Sequence, residues 1–270
     1  MRSIASAVSL SKHLSRELEV IWLINRSLGC PFNQLFKPLP SIRVIQSKKL
    51  TNHLYQDRDY VLAMSKDKCI RLMLLRSSRL YKNLMYDDVI DSIEMADISP
   101  ADLTSKVAKS RRPLLITNRE FYKDFKPNFY DFFRPIDELE RQIKERIAGF
   151  NEYTIAIHIR RGDHKKSILN SPSSLFETVV SNEIDINSKV NFYVASDSVK
   201  DKQYLSDRFG SRIIADFRET SRYNSQGLQA ALIDLYSLSR CCKIYGSYWS
   251  SFSRVAADIS GIELITLTQL

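Results

Sequence analysis

Short apolar runs rich in β-branched residues recur through the second half of the chain. They are TIAIHI (154–159), NFYVAS (191–196), RIIAD (212–216), KIYGS (243–247) and IELITL (262–267). Segments able to form helices separate most of them, and no proline follows Pro172. Apolar strands alternating with helices predict a parallel sheet covered on both faces. A helix is expected over 136–148 (IDELERQIKERIA), which opens on acids after Pro135 and closes on bases, matching the helix macrodipole. Two more helices are expected, one over 226–240 and one from the serines near 250 to about residue 258. Sheets of this kind bind ligands at the carboxyl ends of their strands.

The first half is less regular. Residues 3–16 predict a helix, with Ile4, Val8 and Leu14 at helical intervals, followed by an apolar strand from Leu18 to Ile24. Gly29, Pro31 and Pro38 make 27–39 a loop. Between 41 and 125, strand-like pieces (IRVI, YVLAM, RPLLIT) lie among basic segments. Pro127 and Pro135 punctuate a Phe-rich connection, which sets the expected domains at 1–134 and 135–270.

Length and composition narrow the class. At roughly 150 residues per domain, 270 residues allow one large domain or two small ones. A chain that is 44% hydrophobic and 26% charged is an ordinary soluble globular protein, which excludes disorder, collagen and a small disulfide scaffold. Forty Lys and Arg against 31 Asp and Glu give +9, favouring an anionic partner: nucleic acid, a membrane surface or a phosphorylated substrate. The basic residues are spread along the chain without an RNP, zinc-finger or helix-turn-helix signature, which argues against nucleic acid. There is no G-x-G-x-x-G or P-loop pattern, which removes the usual dinucleotide and ATP cradles. Cys30, Cys69, Cys241 and Cys242 show no C-x-x-C spacing, and the four histidines form no pair at metal-ligand spacing. No metal site is expected. No apolar run reaches the roughly 20 residues of a membrane span, and the opening MRSIASAVSLSKHL lacks the apolar core of a signal peptide. A cytoplasmic protein is expected, with room for peripheral membrane association.

Three features carry candidate chemistry. The strand TIAIHI runs into Arg160-Arg161-Gly162-Asp163-His164, so His158 and Arg160 project to one side at a sheet edge. Arginine grips phosphate oxygens with a planar fork. A solvated basic loop is the plain alternative. Second, Asp234 has Ala230, Ala231 and Leu238 as helical neighbours, so it is a rim residue, a paired carboxylate or one presented to a ligand. Third, Tyr248-Trp249-Ser250-Ser251-Phe252-Ser253 follows the strand KIYGS and opens a helix; its hydroxyls and backbone N–H groups make either an ordinary N-cap or an anion site. Asp57-Arg58-Asp59 is formally D-x-D, but it carries its own counter-ion and reads as a turn.

IAIHIRRGD, FYVASD and ALIDLYSLSRCCKIYGSYWSSFSRVAADISG occur in this order, and together they resemble the donor-binding half of the fucosyltransferase-like superfamily. The stretch IASAVSLSKHLSRELEVIWLINRSLGCPFNQLF is similar to that family's opening helix, strand and loop. The resemblance covers about 1–36 and 153–261. It implies an α/β, GT-B-like architecture of two Rossmann-like domains with parallel sheets, the first on the acceptor side and the second binding the GDP-sugar. It also implies inverting, metal-independent transfer of fucose from GDP-fucose to a glycan or lipid-linked saccharide. By motif, His158 would contact the guanosine and Arg160 the β-phosphate, making Arg160 the catalytic residue. Arg161 and Asp163 would support the loop, Asp234 would accept from the guanine edge, and Ser251 with its helix N-terminus would bind the pyrophosphate, with Ser250 and Phe252 also in the donor site. The chain departs from the family by starting inside the first element and by lacking an acid between Asp163 and Glu177. Asp163, His164 and Glu177 are all candidates for the general base. An inactive nucleotide- or glycan-binding remnant and a transferase for another GDP-sugar are the alternatives.

Overall fold

A computed structural model describes residues 1–25, 28–47, 49–122, 129–162, 164–218 and 220–269. The chain forms two units, 1–27 with 38–133 and 28–37 with 134–270.

The first unit runs α1 (Arg2–His13), β1 (Leu18–Leu23), β2 (Ile42–Ser47), α2 (Arg58–Ala63), α3 (Lys68–Met85), β3 (Asp88–Ile90), α4 (Glu94–Asp97), α5 (Pro100–Lys109) and β4 (Pro113–Leu115). β1 and β2 pair in parallel with Leu18 opposite Ile42, and β3 and β4 pair in parallel with Asp88 opposite Pro113. Leu10, Ile90, Met95, Leu103 and Val107 form a core from α1, β3, α4 and α5. The apolar piece YVLAM, expected to be strand-like, is helical instead. A short apolar run fits either period, and only Val61 of the five is fully buried, which suits one helix face packed on α3. Asp57 precedes that helix and its carboxylate accepts the Ser92 N–H at 3.2 Å, so the D-x-D stretch is a helix start.

The second unit runs α6 (Asp137–Ile147), β5 (Ile155–Ile159), α7 (Lys165–Asn170), α8 (Ser173–Ile186), β6 (Phe192–Ser196), α9 (Val199–Phe209), β7 (Ile213–Ala215), α10 (Ser225–Leu238), β8 (Lys243–Ser247), α11 (Ser251–Ser260) and β9 (Glu263–Leu267). All five strands are parallel, in the order β7-β6-β5-β8-β9. Ile155, Ile157 and Ile159 share one face with Phe192 and Val194, and they pack against Phe176 and Val180 of α8 and Leu205 of α9. Each such side chain removed from water contributes about 1.5–3 kcal/mol. Ala156, His158, Tyr193 and Ala195 occupy the other face, towards α10 and α11. The chain leaves β5 for β6 on one side and later returns to β8 on the other. The order therefore reverses between β5 and β8, which is where sheets of this kind form a ligand crevice beyond their carboxyl ends.

Residues 28–37 belong with the second unit, not with the first domain where the expected boundary put them. Backbone bonds hold them there: Gly29 N–H to Arg222 O at 2.9 Å, Lys37 N–H to Arg134 O at 2.8 Å and Ile136 N–H to Leu35 O at 3.1 Å. A side chain on Gly29 would meet the Tyr223 carbonyl at 2.2 Å, so the close approach requires glycine.

Candidate functional site

His158 is the penultimate residue of β5 and lies beside Gly246 of β8. Gly246 has no side chain because α11 passes over it; a Cβ there would lie 2.6 Å from Ser253 Oγ. The imidazole is buried, stacked on Phe252 at 4.9 Å between ring centres and 27° between planes. Ser250 Oγ makes a long 3.5 Å contact with Nδ1. Burial, with a smaller push from the Arg160 charge, lowers the His158 pKa to about 3. The ring is therefore neutral at physiological pH, with one nitrogen donating and the other accepting. The unfolded chain takes up this proton near 6.5 and the folded one does so only near 3, so this group costs stability as pH falls through 6.5. Its ring carbon signal in NMR is expected to stay flat between about pH 5 and 8; a midpoint near 6.5 would show an exposed ring.

Arg160 follows β5 directly. Its N–H donates to Ser247 Oγ at 2.9 Å, and its guanidinium pairs with Asp197, just past β6. Asp197 also accepts the Arg161 N–H at 2.7 Å. Gly162 has φ +41°, and a Cβ there would lie 2.7 Å from Asp197, so the glycine allows both the turn and the contact. The guanidinium of Arg161 turns into the scaffold instead. It donates to the carbonyls of Arg160 (3.1 Å) and Ser171 (3.0 Å) and to Ser173 Oγ (2.9 Å), and it lies 3.4 Å from Asp201.

Ser250 precedes α11 in extended conformation, and its hydroxyl makes no capping bond to that helix. Ser251, the first helical residue, is exposed. The helix thus presents N–H groups and a partial positive charge beside His158. Trp249 has φ +56°, a left-handed conformation that strains a bulky residue. Its ring is 61% exposed and has Lys166 Nζ 4.1 Å from its centre.

Asp234 is held in a buried network on α10. Tyr193 OH donates to its Oδ1 at 2.6 Å and Arg146 Nη1 lies 3.4 Å from the same atom. Arg146 also bonds Tyr193 OH at 3.0 Å and pairs with Asp216. Burial raises the Asp234 pKa to about 6.

The structure therefore brings His158, Arg160, Ser250, Ser251 and Phe252 together at the ends of β5 and β8. Arg161 supports the loop, whereas the described bonds of Asp234 run to Tyr193 and Arg146 and to none of these five residues. Asp163 lies outside the described residues. Of the candidate bases, His164 Nδ1 accepts the Ser167 N–H at 3.2 Å as a cap of α7, while Glu177 is bonded to Tyr204 and Arg208. Asp197, Arg146 and Asp216 were not singled out from sequence. An acid at the carboxyl end of a parallel strand was the available signal for Asp197 and Asp216.

No family model and no curated protein sequence matches the chain. Solved structures do. NodZ alpha-1,6-fucosyltransferase soaked with GDP-fucose superimposes with TM-score 0.58 at 15% identity, covering 95% of this chain and 87% of NodZ; a NodZ structure is also known from Bradyrhizobium. The chain has the fucosyltransferase-like GT-B fold. A mutant of Arabidopsis thaliana FUT1 in complex with GDP matches with TM-score 0.61 at 13% identity, over 98% of this chain and 66% of FUT1. POFUT1 in complex with GDP-fucose matches with TM-score 0.55 at 10% identity, over 98% of this chain and 93% of POFUT1. The fucosyltransferase-like fold thus extends through the middle of the chain, where the motifs had left 37–152 unmatched.

Proposed function

We propose that this protein is an inverting, metal-independent glycosyltransferase that moves fucose from GDP-fucose to a glycan or a lipid-linked saccharide. The observation that carries this is the convergence of Arg160, a neutral His158 and the N-terminus of α11 at the β5/β8 crevice. Among the similar folds, NodZ was soaked with GDP-fucose and POFUT1 is known in complex with it, which supports the choice of donor. In this reading the second unit binds the donor and the first unit faces the acceptor. His158, stacked on Phe252, meets the guanosine, while Arg160, Ser250 and Ser251 take the pyrophosphate. Asp234, whose described bonds fall on Oδ1, offers Oδ2 to the guanine edge.

An acceptor hydroxyl attacks the anomeric carbon as the bond to the GDP oxygen breaks, with inversion. Negative charge grows on the departing phosphate, where a fixed guanidinium and helix N–H groups stabilise it more than in the ground state. The hydroxyl proton needs a base, and the described residues assign none. The strained, exposed ring of Trp249 suits an apolar sugar face of the acceptor.

Thermal-shift titration with GDP, UDP and ADP in EDTA tests the donor site. GDP at 100 times its dissociation constant adds about 2.7 kcal/mol of stability, and UDP and ADP add much less. No response to GDP from folded protein rules the proposal out. The committed state of His164 and Glu177 favours one second reading, a protein that binds GDP without turnover. A GDP shift without hydrolysis or transfer of GDP-fucose would select it.

A further inference from the structure

Helix α3 presents an outer face that nothing in the described structure covers. Ile70, Met73, Leu80 and Leu84 lie along one stripe at helical spacing, and three of them are more than half exposed: Met73 70%, Leu80 62% and Leu84 75%. Arg76 borders that stripe, Arg79 and Lys68 are exposed further round the helix, and the three form no ion pair among the described residues. The contacts of the helix within the fold lie on its other side: Ser78 is buried, Tyr81 OH meets Tyr55 OH at 2.7 Å, and Lys82 Nζ donates to Gln56 O at 2.6 Å. The outer face is therefore surplus to folding.

The charge pattern selects the occupant. Five Lys and Arg and no acid lie between residues 68 and 86; Asp67 caps the first turn through Ile70 N–H at 2.9 Å. Two copies facing each other here would set cations against cations. Nucleic acid would use the cations but not the exposed Leu and Met side chains, and single-strand binders stack bases on aromatic rings instead. A bilayer with anionic headgroups uses both: aliphatic side chains enter the acyl boundary, and the flanking Lys and Arg meet phosphates. At 1.5 Å per residue, the stripe from Ile70 to Leu84 gives a contact about 21 Å long.

We infer that α3 is a membrane-surface helix that docks the protein on anionic phospholipid through the Ile70–Leu84 stripe and its basic edge. This inference stands apart from the GDP-fucose reading, because none of its residues lies in the donor site.

Flotation with vesicles tests it, using full-length protein with phosphatidylcholine alone or with phosphatidylglycerol added. Wild type is expected to float with the anionic vesicles only, and to be released as salt rises from about 0.1 to 0.5 M. Met73→Glu/Leu80→Glu and Arg76→Glu/Arg79→Glu should each bind roughly tenfold or more weakly. All of these positions are exposed, and an unchanged circular-dichroism melt confirms that the variants fold. The GDP thermal shift, measured alongside, should be the same in wild type and both variants, so failure of the donor reading registers separately. Three results overturn the inference. The first is no flotation of wild type. The second is wild-type flotation of both variants. The third is a concentration-dependent oligomer, or binding to a homopolymer RNA, that the variants abolish in protein that does not float.

Discussion

Arg160→Ala is expected to lower turnover of GDP-fucose by roughly a hundred- to a thousandfold, the loss that follows removal of one preorganised donor to a developing negative charge. Its place fixes the expectation. The residue leaves β5 at the crevice, with its N–H held by Ser247 and its guanidinium braced by Asp197. Asp197 in turn is tied to the backbone of Arg161. A guanidinium positioned in this way needs no reorganisation when the phosphate leaves. The fold should survive, since the side chain is partly exposed and contributes nothing to the apolar core. Arg160→Lys keeps the charge but loses the planar fork, so it should recover only part of the rate. The measurement is kcat and KM for both variants beside a melt. A kcat within twofold of wild type would remove Arg160 from the chemistry, whatever happened to KM.

The strands of the second unit were legible because β5 and β6 are buried at every position, and β7, β8 and β9 each still carry a short apolar run. KIYGS is β8 without change, and TIAIHI exceeds β5 by only Thr154. The segment 28–37 was not legible, because its place is set by backbone bonds to Arg134, Ile136 and Arg222, which leave no trace in side-chain pattern. The helix α3 was hidden for a different reason. Its apolar positions do recur at helical spacing, but five Lys and Arg interrupt them, so the segment read only as basic. At the site, motif order placed His158, Arg160 and Ser250. The partner of Arg160 came from another strand end, and periodicity within one segment cannot report which acid meets which base.

Arg146→Ala should cost about 3–5 kcal/mol of folding stability, the usual result of leaving a buried charge without its partner. In sequence, Arg146 is one of the bases that close a helix opening on acids. In the fold its side chain is 15% exposed, and it joins Asp216, Asp234 and Tyr193 across three elements. Burial works against ionisation of Asp216, yet the bonds from Arg218 and Arg146 overcome it and bring its pKa down to about 2. That carboxylate keeps Arg218 in the variant; Asp234 is left with the Tyr193 hydroxyl alone as a hydrogen-bond partner. The pH dependence separates this account from a simple loss of packing. Folded Asp234 binds its proton up to about pH 6 and unfolded Asp near 3.8, so its contribution to stability declines as pH rises through that window. Without Arg146 the folded pKa climbs further, and the decline extends to higher pH. Urea denaturation at about pH 5 and 8 should therefore show a larger deficit for Arg146→Ala at the higher pH, and Asp234→Asn should remove most of that difference. Equal deficits at both pH values, or a loss under about 1 kcal/mol, would mean the network behaves as a solvated surface cluster. In the proposed donor site the same network fixes Oδ1 of Asp234, so Oδ2 is the oxygen that would meet a base edge. Asp234→Asn should then weaken GDP more than ADP, and equal weakening of the two would detach Asp234 from guanine recognition while leaving its structural role intact.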